Sequence, residues 1–172
     1  ISFMPSVTVT PDSKATVNKS RVSKTEIKLA TVDEMLAQAN ILFEEHYEEI
    51  ARNKQVMKLK PDEQAYRNME EMRQIFIFSA KQDDELIGYS VNFVLNHPHY
   101  ADLKLAQNDL LFIKKEFRGS RAGLRLIKET EIHATSLGCK LMLWHAKENT
   151  TLAAILPRLK YGVQDIIYSK EL

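Results

Sequence analysis

The stretch that most constrains this chain runs from Leu111 to Gly123, LFIKKEFRGSRAG, together with the amphipathic run that follows it to Leu137. A β-type run ends at Ile113, charged residues fill Lys114 to Glu116, and helical periodicity begins within Arg118 to Gly123. A strand that passes into a helix through small residues presents unpaired backbone N–H groups and the positive end of a helix dipole. Such a turn is suited to an anion, and a phosphate group above all.

Length and composition bound what surrounds it. At 172 residues the chain can form one domain that buries roughly 70% of the surface its unfolded form exposes. Lys and Arg number 24 against 23 Asp and Glu, so no global field draws nucleic acid or an anionic membrane. The single cysteine, Cys139, excludes an internal disulfide and cannot support a zinc cluster, so no metal is expected and a reducing cytoplasm fits best. No apolar run approaches the roughly 18 residues of a membrane span and no charged-then-apolar leader opens the chain, which predicts a soluble cytoplasmic protein.

Residues 1–25, rich in Ser, Thr, Val and Lys, read as an extended N-terminal arm, with residues 1–3 ahead of the first methionine read as a tag remnant. If ordered, the arm would make a packing contact or donate a strand to a neighbouring chain, which leaves a homodimer open. The remaining 26–172 form the domain. Glu26 to Ala30 alternates as a strand, and Thr31 with Glu34 makes a capping box that opens one long helix to about Arg52. Met35, Leu36, Ala39, Leu42, Phe43, His46, Tyr47 and Ile50 share its apolar face, bordered by Glu44, Glu45, Glu48 and Glu49. Pro61 opens a second helix through about Arg73.

From Ile75 the period becomes two. Ile75 to Lys81 and Glu85 to Leu95 form a hairpin around Asp83 and Asp84, and Gln107 to Ile113 is a fourth strand. The helix after Arg118 ends at Gly138, and Lys140 to Ala146 is a fifth strand, apolar enough to be central. Asn149 caps a short helix that Gly162 ends, and Val163 to Ser169 is the last strand. This order predicts an α/β domain with a mixed sheet, mostly antiparallel with one parallel pair, and a crevice near the carboxyl ends of the fourth and fifth strands.

Two nucleotide motifs fail at the turn. No Gly-Lys-Ser/Thr follows it, and only Gly119 and Gly123 are present where a dinucleotide fingerprint needs three glycines. Arg118, Gly119, Ser120, Arg121, Ala122 and Gly123 instead take the six places of a pattern that runs from Arg or Gln through two residues, Gly, one residue, then Gly or Ala. With the element order, the Asn149 and Ala153 pair and the closing Tyr161 and Gly162, the chain over 26–172 resembles the GNAT superfamily of acyl-CoA-dependent N-acyltransferases. It looks most like members from bacteria and their phages. Arg121 stands where that family has its central glycine.

The resemblance implies that the pyrophosphate of acetyl-CoA binds amides between Arg118 and Gly123. The pantetheine arm would pair with the backbone at Leu111 to Ile113, and Asn149 would bond the arm from the other side. The implied reaction moves an acetyl group to a primary amine of a small molecule or protein by direct transfer in a ternary complex, in the gap between splayed fourth and fifth strands. A backbone N–H of the fourth strand would stabilise the oxyanion.

A general base is sought in Asp109 and His46. Asp109 shares strand parity with Leu111 and Ile113 and so faces either the gap or solvent at a strand end. His46, in the middle of an apolar face, is either a core histidine or a base. Leu156 occupies the place of the family's acid tyrosine, with Tyr161 or Tyr168 as substitutes. Trp144 and Cys139 read as packing residues. The acidic border of the first helix would favour a cationic amine, and the acceptor stays open. The alternative is a weakly active or inactive protein of the same fold that acts by binding a protein partner.

Overall fold

The computed structural model describes residues 24–172, so all of the expected arm except Lys24 and Thr25 lies outside the described residues. Five strands, β1 (Glu26–Ala30), β2 (Ile75–Gln82), β3 (Glu85–Asn96), β4 (Lys104–Ile113) and β5 (Leu141–Trp144), form one sheet in that spatial order. The first four are antiparallel neighbours, and β5 joins β4 in parallel. Asp83 and Asp84 turn the β2–β3 hairpin with φ of 49° and 66°, the positive values a tight hairpin turn needs. At Gly88 an added Cβ would lie 2.4 Å from the Phe112 carbonyl oxygen, so only glycine allows β3 and β4 to approach there.

Helices cover both faces. Helices α1 (Val32–Gln38) and α2 (Asn40–Ile50) lay Val32, Met35 and Leu42 on one side, against Ile77, Tyr89, Val91 and Phe112, and α3 (Glu63–Glu71) adds Tyr66 and Met69. On the other side α4 (Ala122–Ser136) packs Leu126 and Ala134 against Phe76, Phe78 and Ile87. Tyr89, Ile87 and Leu126 have no exposed surface, and burying side chains of this size stabilises the fold by about 1.5–3 kcal/mol each. The capping box forms as expected: Glu34 N–H donates to Thr31 Oγ1 at 3.1 Å, and Thr31 N–H donates to the Glu34 carboxylate at 2.7 Å. The single long helix expected from Thr31 to Arg52 is two, broken at the fully buried Ala39, where φ is −101° and ψ is 1°. The second helix starts after Pro61, with Asp62 as its cap accepting from Ala65 N–H at 3.0 Å.

Three expectations for the last third are corrected. The fifth strand, expected central over Lys140 to Ala146, is a short edge strand, because among the described residues no further strand lies outside it. Val163 to Ser169 forms no strand and pairs with nothing along the open edge of β5; Val163, Ile167 and Tyr168 stand exposed, so strand-like composition alone does not build a strand where its side chains find no surface to pack on. The cap of α5 (Thr151–Arg158) is Thr150, not Asn149. Asn149 instead takes a left-handed φ of 63°, which an Asn tolerates and a β-branched Thr does not, and Thr150 Oγ1 accepts from Ala153 N–H at 3.3 Å.

Candidate active site

The parallel pairing of β4 and β5 runs from Leu105 with Leu141 to Asn108 with Trp144 and then stops, while β4 continues to Ile113. Beyond Asn108 the two strands therefore fork. Lys114 N–H donates to the Ile87 carbonyl at 2.8 Å, so antiparallel alternation turns the backbone groups of Phe112 and Leu110 toward β3. Those of Leu111 and Ile113 are turned into the fork. One is already used: Arg118 Nε donates to the Ile113 carbonyl at 2.8 Å.

The fork begins at a β-bulge. Val91 pairs with Leu110 and Asn92 with Asn108, leaving Asp109 as the extra residue on β4. This reverses the expected parity. Leu111 and Ile113 lie on the α4 side, whereas Asp109 opens with Leu110 on the α1–α2 side, into a cleft of about 390 Å³. Asn108 braces the bulge from within the sheet, its Nδ2 donating to the carbonyls of Val91 at 3.2 Å and Leu110 at 3.0 Å and to Asn92 Oδ1 at 2.9 Å.

Burial raises the Asp109 carboxyl above the usual carboxylate range, with His145 and Lys147 opposing. Burial likewise lowers Lys147, helped by Arg52 and opposed by Asp109. His46 also lines the cleft but is 4% exposed; its Nδ1 hydrogen-bonds the Tyr89 hydroxyl at 2.7 Å and its ring stacks on Phe112. Burial pushes its pKa down to about 4, with Glu49 opposing and Lys147 and Arg118 assisting. The ring is neutral at physiological pH.

The turn into α4 is built from its own polar groups. Gly119 takes a φ of +86° with nothing within 4 Å of an added Cβ, a conformation that disfavours any side chain. Ser120 Oγ donates to the Phe117 carbonyl at 2.6 Å and accepts from Ala122 N–H at 3.3 Å. Arg118 N–H donates to the Lys115 carbonyl at 3.2 Å. Among the described residues no acceptor takes the amides of Gly119, Arg121 or Gly123, and these point to the mouth of a helix N-terminus. A Cβ on Gly123 would meet only Ile113 Cγ1, at 3.8 Å, so nothing inside the protein demands a glycine there. The Arg118 side chain is not free for a ligand, being held by Glu49 at 2.8 and 2.6 Å. Asn149 follows β5 across the fork, and its side chain makes no hydrogen bond to the described residues.

Tyr161 donates its hydroxyl to Glu131, which also accepts from Trp144 Nε1 at 3.0 Å. Leu156 is buried. The acidic border expected to attract a cation lies outside the cleft, with Glu48 paired to Lys54 and Glu49 to Arg118.

A sheet with a parallel fork feeding a glycine turn and a helix N-terminus is the framework of an acyltransferase domain. The acetyltransferase (GNAT) family model matches residues 41–159, well over half of the chain, and the chain belongs to that family. Solved structures of similar fold include an aminoglycoside acetyltransferase from an uncultured soil metagenomic sample, with a TM-score of 0.65 and 16% identity over 86% of this chain and 96% of that one. The ribosomal-protein-alanine N-acetyltransferase of Brucella melitensis biovar Abortus 2308 gives 0.65 and 15% over 87% and 100%. Glucosamine-6-phosphate N-acetyltransferase of Arabidopsis thaliana gives 0.62 and 13% over 86% and 98%. No curated protein sequence matches. Among the described residues no helix is long and apolar enough to cross a membrane.

Proposed function

We propose that the chain transfers an acetyl group from acetyl-CoA directly to a primary amine in a ternary complex. The observation that carries this reading is the fork. Among the described residues it leaves the backbone groups of Leu111 and the N–H of Ile113 unpaired at one end of a path that leads to the unpaired amides of Gly119, Arg121 and Gly123. Those amides, together with the helix N-terminus, fit a pyrophosphate. Arg121, exposed and with no capping bond, adds a guanidinium that can pair with a phosphate oxygen. Leu111 and Ile113 offer strand-like hydrogen bonds to an amide-bearing arm, and Asn149 offers its free side-chain amide from the opposite side.

When bound, acetyl-CoA supplies an activated thioester at the fork. The chain must present a neutral amine to it, and taking a proton from a lysine-like amine at pH 7 costs roughly 4–5 kcal/mol. Asp109 is the residue proposed for this. It is the bulged residue at the point where β4 and β5 part, it opens into the cleft, and its burial strengthens the carboxylate as a proton acceptor. His46 is assigned to packing, because its Nδ1 is engaged by Tyr89 and its ring by Phe112. With Leu156 buried in α5 and the Tyr161 hydroxyl given to Glu131, neither supplies a proton to the leaving thiolate. A second reading, a partner-binding protein that keeps the fold, draws on this last observation.

Calorimetry with acetyl-CoA, followed by a thiol-release assay over an amine panel, tests the proposal. Micromolar binding and thiol release dependent on an amine are expected. Absence of binding at millimolar coenzyme would remove the acetyltransfer reading, and binding without thiol release would favour the partner-binding one.

A further inference from the structure

We infer that the acceptor is a monoamine with an apolar aryl or alkyl body, held in the cleft between α1, α2, α3 and the loop 51–61 with its amine at Asp109. This rests on the acetyltransfer reading and names the substrate class of that same site.

The walls of the cleft are hydrocarbon. Met35, Leu36 and Phe43 form the helical side, Val91 and Leu110 the sheet side, and Met57 and Leu59 close it from the loop. At 58% and 42% exposure, Met57 and Leu59 present apolar surface to water that an apolar ligand would cover. The volume, about 390 Å³, lies at the lower end of the roughly 300–1,000 Å³ typical of small-molecule sites.

Charge sets the second requirement. Among the described residues Asp109 is the only carboxylate lining the cleft, and Lys147, Arg52, Lys58 and Lys60 line it as well. Lys147 and Arg52 are tied down, donating to the carbonyls of Ile50 at 3.1 Å and Glu148 at 2.7 Å. One anion thus meets one ammonium, and a second or third cation on the same ligand would meet like charges at the rim. Polyamines and aminoglycosides are disfavoured by the same surface that accepts a single amine.

Titration calorimetry with 2-phenylethylamine and with spermidine, in the absence of coenzyme, reads this without turnover. Phenylethylamine is expected to bind at least tenfold more tightly, and Asp109→Asn to weaken it at least tenfold. In the coupled thiol-release assay with acetyl-CoA, kcat/KM for phenylethylamine should exceed that for spermidine, kanamycin or a lysine peptide at least tenfold. The double change Lys58→Glu and Lys60→Glu should narrow that ratio. Equal or better use of spermidine, kanamycin or the peptide would overturn the inference and leave acetyl transfer standing. Phenylethylamine binding that is indifferent to Asp109→Asn would overturn the placement of the amine. Failure to bind acetyl-CoA or to release thiol with any amine would overturn both readings.

Discussion

Arg118, in the turn before α4, brackets the carboxylate of Glu49 on α2 with both terminal nitrogens, at 2.8 and 2.6 Å, while its Nε holds the Ile113 carbonyl. The guanidinium also lies over Phe112, 5.4 Å from the ring centroid, and it keeps the Glu49 carboxyl below the usual carboxylate range. The pair ties the proposed coenzyme turn to the helix that walls the acceptor cleft. Its side chains are 31% and 43% exposed, so solvent screens it and its contribution to stability is about 0.5–1 kcal/mol. In a double-mutant cycle, Glu49→Gln and Arg118→Lys should couple by about that amount in urea unfolding, and by less in high salt. Each single variant should raise both the Kd for acetyl-CoA and the KM for the amine. A change in only one of the two would show that the pair does not link the half-sites.

Gly123 separates fold from ligand binding. A side chain there has only an ordinary contact with Ile113 to make inside the protein, and a helix favours leucine over glycine by up to about 1 kcal/mol. Gly123→Leu should therefore leave the melting temperature unchanged or raised while weakening acetyl-CoA binding at least tenfold in calorimetry. Unchanged affinity would move the pyrophosphate away from this turn.

His46 should make stability fall in mild acid. Its pKa drops from an ordinary 6.5 to about 4 in the folded protein, so between those values the unfolded chain binds a proton that the native one refuses. Its contribution is complete above pH 6.5, is lost as the pH falls toward 4, and integrates to about 3 kcal/mol. Urea unfolding at pH 7 and pH 4.5 should show most of this loss, and His46→Phe should flatten the difference between the two pH values relative to the native protein.

Asn108 is fully buried, and its Nδ2 faces four acceptors, Ser90 Oγ, Asn92 Oδ1 and the carbonyls of Val91 and Leu110. Asn108→Asp puts an acceptor in place of that donor at nearly the same size. The expected loss is about 3 kcal/mol or more in urea unfolding, larger than for Asn108→Ala. The order of the two variants is the check, since a simple cavity effect would reverse it.

Local features could be read from residue order. The Thr31–Glu34 capping box, the Asp83–Asp84 turn and the strand-to-helix turn at Gly119 each depend on neighbours within a few positions, and each forms where expected. The family follows from the same local pattern combined with element order. What needed three dimensions was anything set by a distant partner. The face taken by Asp109 depends on β3 supplying one residue where β4 supplies two. The Glu49 carboxylate that looked like substrate attraction is spent on Arg118, 69 positions away. The apolar cleft depends on how Met57 and Leu59 fold back over α1 and α2, and no periodicity announces that. Val163 to Ser169 has the composition of a strand but does not pair with the open edge of β5.

The bulge at Asp109 has a consequence for how this chain can change over evolutionary time. Because side chains alternate between the two sides of a sheet, it is the extra residue that lets Asp109 and Leu110, neighbours in sequence, face the same cleft. Loss of the Asp109 codon would leave Asn108 and Leu110 with their present β3 partners and restore regular alternation, so Leu110 to Ile113 would keep their faces while the cleft lost its carboxylate. The fold can thus shed this residue more easily than the proposed activity can, and deletion of Asp109 should be absent from any variant that keeps its activity.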